Sequence, residues 1–204
     1  MIELIGLPGC GKTTYLNNLS SKEDFINPLD IIYNDNHFIQ NLSKLIPIAF
    51  FFVLYPIVSI KTICLLIRLN YTSFFRRVKM FSYVFSVLGA IVLCKKKYPY
   101  KNLIVDEGIN QVLIYVMYES KDSEFLVKRL WVLLRPFMSD EILYLKIDKD
   151  IVLQRLMKRN GKHGSEVNRD VINNPKALDK AIYCQEIILD MIKSHGLKLN
   201  IKQL

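Results

Sequence analysis

Gly6-Leu7-Pro8-Gly9-Cys10-Gly11-Lys12-Thr13 sets three glycines, a lysine and a hydroxyl in the spacing G-x-x-x-x-G-K-[ST]. That combination suits the holding of phosphate. Glycines let the backbone curl into a nest of N–H groups, and the N-terminus of a following helix adds partial positive charge. Met1-Ile2-Glu3-Leu4-Ile5 in front reads as a strand, and Thr14-Tyr15-Leu16-Asn17-Asn18-Leu19 behind reads as a helix. This is the strand–loop–helix setting in which the pattern is a phosphate loop. Gly6, Leu7, Pro8, Gly9, Cys10, Gly11, Lys12, Thr13 and Thr14 are therefore the expected nucleotide-binding residues. Lys12 would reach the β- and γ-phosphates, and the Thr13 hydroxyl would ligate Mg²⁺. The loop predicts binding of a nucleoside triphosphate, with ATP and Mg²⁺ as the expected cofactors.

Leu103-Ile104-Val105-Asp106-Glu107 is an apolar run that ends in two carboxylates. Such a run reads as a buried parallel strand, and ligands bind at the carboxyl edge of open α/β sheets. Asp106 is the second expected Mg²⁺ ligand. Glu107 has three readings: it accepts a proton from an acceptor hydroxyl, polarises a water, or pairs with an arginine. A third constellation, this one basic, lies in Asp148–Lys162, where Arg155 and Arg159 fall four residues apart on one helix face and Asp148 can cap the helix. Guanidinium forks match the oxygens of a transferring phosphoryl group. Gly161, Gly164 and the polar run to Asn174 suggest a lid over 155–174 that carries Lys162 and Arg169 inward. A basic helix end favoured by the helix dipole is the plainer alternative.

The elements that must position these residues alternate. Further strands are expected at Asp30–Tyr33, Ile142–Ile147 and Leu197–Ile201. Asn174 and Pro175 can start the last helix and Gly196 can end it. The pattern predicts an α/β fold, a doubly wound five-stranded parallel sheet within one domain over 1–204. Between its second and third strands, 38–94 forms a helical insert that is basic and apolar.

The formal charge is +9, and it is concentrated. No acid lies between Asp35 and Asp106, an interval with ten of the 28 basic residues; the other 18 face all 19 acids. Leu45–Ile60 and Met80–Cys94 carry no charge, yet each is shorter than a spanning helix requires. Spans there would put Arg68, Arg76, Arg77 and Lys79 on the far side of a membrane, against the positive-inside rule. Pro47 and Pro56 also interrupt the first run. A transmembrane hairpin is thus not expected. From 67 to 79 a helical period places Ile67, Tyr71, Phe74, Phe75 and Val78 on one face, and Arg68, Thr72, Arg76 and Lys79 on the other. The apolar face then belongs to the core and the basic face to solvent. Alternatively, Arg68, Arg76 and Arg77 bind an anionic acceptor, or residues 45–94 touch an anionic membrane surface. Nucleic acid is not expected, because it favours aromatics interleaved with the charges.

Mean hydropathy is +0.19, which excludes disorder. Cys10, Cys64, Cys94 and Cys184 lack metal-site spacing or a disulfide framework, as expected of a reduced cytoplasmic protein. No signal peptide is expected before the first strand.

Through Gly6–Thr14, Asp106-Glu107-Gly108 and the Leu143–Arg159 unit with its Arg-x-x-x-Arg, the chain resembles the nucleoside and nucleotide kinase branch of the P-loop proteins. Thymidylate-kinase-like members are nearest. The resemblance leaves out the interior from about Phe38 to Lys101. It implies a five-stranded parallel sheet, an acceptor-binding helical insert between the second and third strands, and a lid after the fourth. It also implies ATP–Mg²⁺ roles for Lys12, Thr13 and Asp106 and lid roles for Arg155 and Arg159. Thymidylate kinases carry arginine directly after the Walker B aspartate, where this chain has Glu107. The insert shows no base-recognition pattern, which speaks against thymidylate itself; the expected acceptor is a nucleoside, a nucleotide, a sugar, a lipid-linked glycolipid intermediate or another hydroxyl compound. The expected activity is transfer of the γ-phosphoryl group of Mg²⁺-ATP to a hydroxyl or phosphate of a small molecule. The alternative is a P-loop NTP hydrolase, a switch or motor at a membrane or on a macromolecular partner.

Overall fold

A computed structural model describes residues 1–20, 25–32, 37–121, 123–158 and 166–203. The first elements are strand β1 (Ile2–Ile5), helix α1 (Lys12–Ser20) and strand β2 (Phe25–Ile26). Three helices follow, α2 (His37–Leu54), α3 (Pro56–Arg68) and α4 (Phe74–Lys97), with a two-residue strand β3 (Asn70–Tyr71) before the last. Next come β4 (Asn102–Val105), α5 (Ile109–Glu119), β5 (Ser120–Lys121) and α6 (Glu124–Leu134). The remaining elements are β6 (Glu141–Lys146), α7 (Lys149–Lys158), α8 (Glu166–Asn173), α9 (Ala177–Ser194) and β7 (Lys198–Gln203).

Five strands make one parallel sheet in the order β2-β4-β1-β6-β7, while β3 and β5 pair separately and antiparallel. β1 is central: Ile2 stands opposite both Ile104 of β4 and Glu141 of β6. Alternation along each strand sends side chains to opposite faces. Leu4 and Ile104 pack with Leu16 of α1 on one face. Ile5, Val105 and Ile142 point the other way, into the main core with α4, α5, α6 and α9. Helices therefore cover both faces of an α/β sheet. The carboxyl ends of β1 and β4 lie side by side, which brings the glycine-rich loop and Asp106-Glu107 to one edge.

The strand expected at Asp30–Tyr33 is corrected. Its place in the sheet is taken by Phe25–Ile26, and Pro28–Ile31 forms a 3₁₀ turn. Asn27 forces that exit: its Oδ1 accepts from Leu29 N at 3.2 Å, and Pro28 stands at the first turn. The last helix starts at Ala177, because Asn174 and Pro175 form the preceding turn. Gly196, at φ +68°, ends it as anticipated.

Apart from β3, the segment between β2 and β4 is largely helical. Val84–Val92 of α4 share the main core with the sheet. Pro47 sits inside α2 without ending it, and the chain breaks at Tyr55, before Pro56. α4 is long and apolar enough to cross a membrane, with 61% of its apolar window buried inside the protein. Ser43–Leu54 and Pro56–Arg68 pass the same test only as a pair, bent by 113°. The continuous helix read through 67–79 is broken by β3, and Ser73 restarts it by capping Arg76 N. Tyr71 is buried, whereas Ile67, Phe74, Phe75 and Val78 are exposed, contrary to the expected core face.

Candidate functional site

The loop between β1 and α1 takes its shape from its glycines. Gly9 and Gly11 have φ of +86° and +102°, a region costly for any residue with a Cβ. A Cβ on Gly9 would also stand 3.2 Å from Leu156 of α7. Cys10 N donates to Leu7 O at 3.1 Å and Tyr15 N to Gly11 O at 2.9 Å, so the loop closes directly into α1. Lys12 is buried, and its Nζ donates to Gly6 O at 2.8 Å. The loop is held from below: Gly6 N donates to Gln111 Oε1 of α5 at 3.1 Å.

Lys12 and Thr13 share a cavity of about 160 Å³ with Asp106, Glu107 and Tyr115. Asp106 Oδ1 is buried without a hydrogen-bond partner among the described residues. Burial pushes its carboxyl up from the ordinary value; the Lys12 ammonium opposes this, while Glu107 and Asp30 add to it. A buried, unpaired carboxylate oxygen beside a hydroxyl and a glycine-rich loop would fit Mg²⁺ bound together with phosphates. No group of three or more His, Cys, Asp or Glu able to hold a metal occurs among the described residues. Phosphate-bound Mg²⁺ needs only one or two protein carboxylates. Glu107 Oε2 accepts from the Tyr83 hydroxyl at 2.7 Å.

On the far side of Asp106 a second cavity, about 400 Å³, is lined by Asn17, Phe25, Asn27, Asp30 and Glu107 among others. Its polar wall is mainly amide and carboxylate beside the apolar Leu16, Phe25 and Leu29, and among the described residues no lysine or arginine lines it. Asp30 is held there by Asn27, whose Nδ2 donates to Asp30 Oδ1 at 3.2 Å. Burial pushes the Asp30 carboxyl up, against that hydrogen bond. Sequence reasoning missed Asp30 by reading it into a strand. The overlooked signal is Asn27-Pro28, a turn that places the next residues at the sheet edge.

A third cavity, about 600 Å³, lies on the other flank of the loop against Tyr15, Asn18, Arg155, Lys158 and Lys202. Arg155 Nη1 donates to Gly9 O at 3.2 Å, so this arginine braces the loop and does not line the cavity between Lys12 and Asp106. Arg159, Lys162, Gly161 and Gly164 lie outside the described residues. Of the expected lid, 155–158 belong to α7 and 166–173 to α8, which buries Val167 and Val171.

Arg68, Arg76 and Arg77 line none of these three cavities. Arg76 Nη1 is 2.8 Å from Glu119 Oε2, a carboxylate almost wholly buried at the end of α5. Arg77 stacks at 6.0 Å over the Tyr71 ring. Arg68 is exposed at the end of α3. No family model matches the chain, and a search of curated proteins finds no match.

Proposed function

We propose that the chain is a Mg²⁺-ATP-dependent phosphotransferase of the P-loop kinase type, acting on a small hydroxyl compound. The observation that carries this reading is the pair of cavities that meet at Thr13, Asp106 and Glu107. One is lined by the glycine loop and Lys12, the other by Asn27 and Asp30. A hydrolase needs only the first. The second provides room for an acceptor next to the transferring group.

The roles follow from chemistry. The loop amides and Lys12 cradle the phosphates and draw charge from them. Mg²⁺, held by Thr13 and Asp106, would neutralise charge on the β- and γ-oxygens. Arg155, Lys158 and Tyr15 face the flank where the nucleoside part would lie. Glu107 and Asp30 orient the acceptor hydroxyl and take up its proton. Among the described residues the second wall sets carboxylates and amides beside Leu16, Phe25 and Leu29 and carries no cation, which favours a neutral or cationic hydroxyl compound over a monophosphate as acceptor. Arg68, Arg76 and Arg77 do not line either of these two cavities.

ADP formation from Mg²⁺-ATP, measured with pools of nucleosides, nucleoside monophosphates, sugars and amino sugars, tests this directly. We expect a neutral or amino-bearing hydroxyl pool to stimulate it, and Lys12→Ala to reduce the stimulated rate by roughly a thousandfold while the thermal midpoint stays within a few degrees. A rate independent of every pool, yet lost in Lys12→Ala, would instead establish the hydrolase.

A further inference from the structure

We propose that the outward face of α3 docks the protein on the headgroup region of an anionic lipid bilayer. The inference rests on this surface alone and stands apart from the phosphotransfer reading.

The polarity of α3 is inverted. The residues it buries are Ser59, Thr62 and Leu66. The hydroxyls of Ser59 and Thr62 have no hydrogen-bond partner among the described residues. The isoleucines point outward instead: Ile57, Ile60 and Ile67 are 66%, 61% and 53% exposed. With exposed Cys64 they recur at intervals of three and four, a single helical stripe. A helix meant only to cover a core would turn this stripe inward. Val53, at the end of α2, and Phe74 and Phe75, at the start of α4, are further large apolar side chains left outside.

Charge chooses among possible occupants. Lys61 and Arg68 follow Ile60 and Ile67 directly, and both are exposed, so cations border the stripe. Long cationic stems lie along apolar surface while their heads reach outward, which is how interfacial helices seat among headgroups. No acid occurs between Asp35 and Asp106. A second copy would thus bring cations against cations with no carboxylate from this segment to pair them. An anionic bilayer meets both requirements, since it takes up apolar side chains and neutralises lysine and arginine.

The test is flotation of the full chain, without nucleotide, with vesicles of phosphatidylcholine alone or mixed with phosphatidylglycerol, at low and high salt. In parallel, a polarity-sensitive fluorophore is attached at Cys64, the exposed one of four cysteines. Binding to the anionic vesicles at low salt is expected, roughly tenfold or more weaker on neutral vesicles or at high salt, with a blue shift of the probe. Ile60→Asp and Lys61→Glu, both at exposed positions, should each abolish flotation without moving the thermal midpoint. The proposal is overturned by absence of binding at low salt, or by binding that both variants leave intact. It is also overturned by a probe already shifted in a dimer without lipid, which makes the face a contact between copies. Resistance to high salt and alkaline carbonate would overturn it too, by showing helices embedded in the bilayer.

Discussion

Three carboxylates, Asp30, Asp106 and Glu107, gather at the edge of the sheet in three different surroundings. Asp106 is the most enclosed, with one oxygen unpaired and the Lys12 ammonium as its opposing charge. Glu107 is tied to the Tyr83 hydroxyl. Asp30 is the most open, held only from one side by the Asn27 amide. Under the phosphotransfer proposed above, a metal ligand, a positioned hydrogen-bond acceptor and a group that reaches a mobile acceptor would need these three environments respectively. Asp30→Asn keeps the size and the contact with Asn27 but cannot take up a proton. It should lower acceptor-dependent ADP formation roughly a hundredfold, as loss of a general base does, with the KM for ATP within about twofold of the original. Steady-state kinetics with each substrate varied in turn decides it; an altered ATP KM with unchanged turnover would remove Asp30 from the acceptor site.

At the scale of elements, the crossing of α2 and α4 fixes where the helices between β2 and β4 stand. Gly89 of α4 meets Pro47 of α2 so closely that a Cβ there would lie 2.1 Å from the Pro47 carbonyl oxygen. Gly89→Ala therefore sets two opposed effects against each other. Helix propensity favours alanine by about 1 kcal/mol, whereas a clash with backbone forces the helices apart at a cost on the order of 2–3 kcal/mol. The clash should win, and urea unfolding should show a net loss of about 1–2 kcal/mol. A stabilised variant would mean that the two helices do not approach this closely. The same elements show what the sequence could reveal. The phosphate loop was legible because its residues are contiguous and each serves the local backbone, and Asp106 because an apolar strand ends on it. Asp30 was hidden by Ile31, Ile32 and Tyr33, whose strand propensity masked the Asn27 cap in front of them. The break between α3 and α4 was hidden more deeply. It depends on β3 pairing with β5, with Tyr71 opposite Ser120, a contact no local pattern announces.

Across the whole molecule, one buried chain of hydrogen bonds joins the far helices to the glycine-rich loop. Trp131 Nε1 of α6 donates to Asn110 Oδ1 at 2.8 Å, and Asn110 Nδ2 donates to Glu3 Oε2 at 2.8 Å. Gln111 N donates to Glu3 Oε1 at 3.0 Å, and Gln111 Oε1 receives Gly6 N of the loop at 3.1 Å. Glu3 is the ionisable member, and burial pushes its carboxyl from the ordinary 4.5 up to about 7, despite the hydrogen bonds from Gln111 and Asn110. In the unfolded chain the group loses its proton near pH 4.5, while the folded protein keeps it until about pH 7. Between those values the folded state holds the extra proton, so raising the pH favours unfolding. Glu3 therefore contributes its full share below pH 4.5, loses it progressively up to about pH 7, and changes nothing beyond. The difference is on the order of 3 kcal/mol. Chemical denaturation at half-unit steps from pH 5 to 8 should show the midpoint falling across that window. Glu3→Gln, uncharged throughout, should start less stable, because its amide NH₂ faces a donor from α5, and should show a flatter profile. A variant whose midpoint falls as steeply as the original would place the titrating group elsewhere. A flat profile in both would mean that Glu3 ionises at its ordinary value, and hence that the network beneath the loop is open to water.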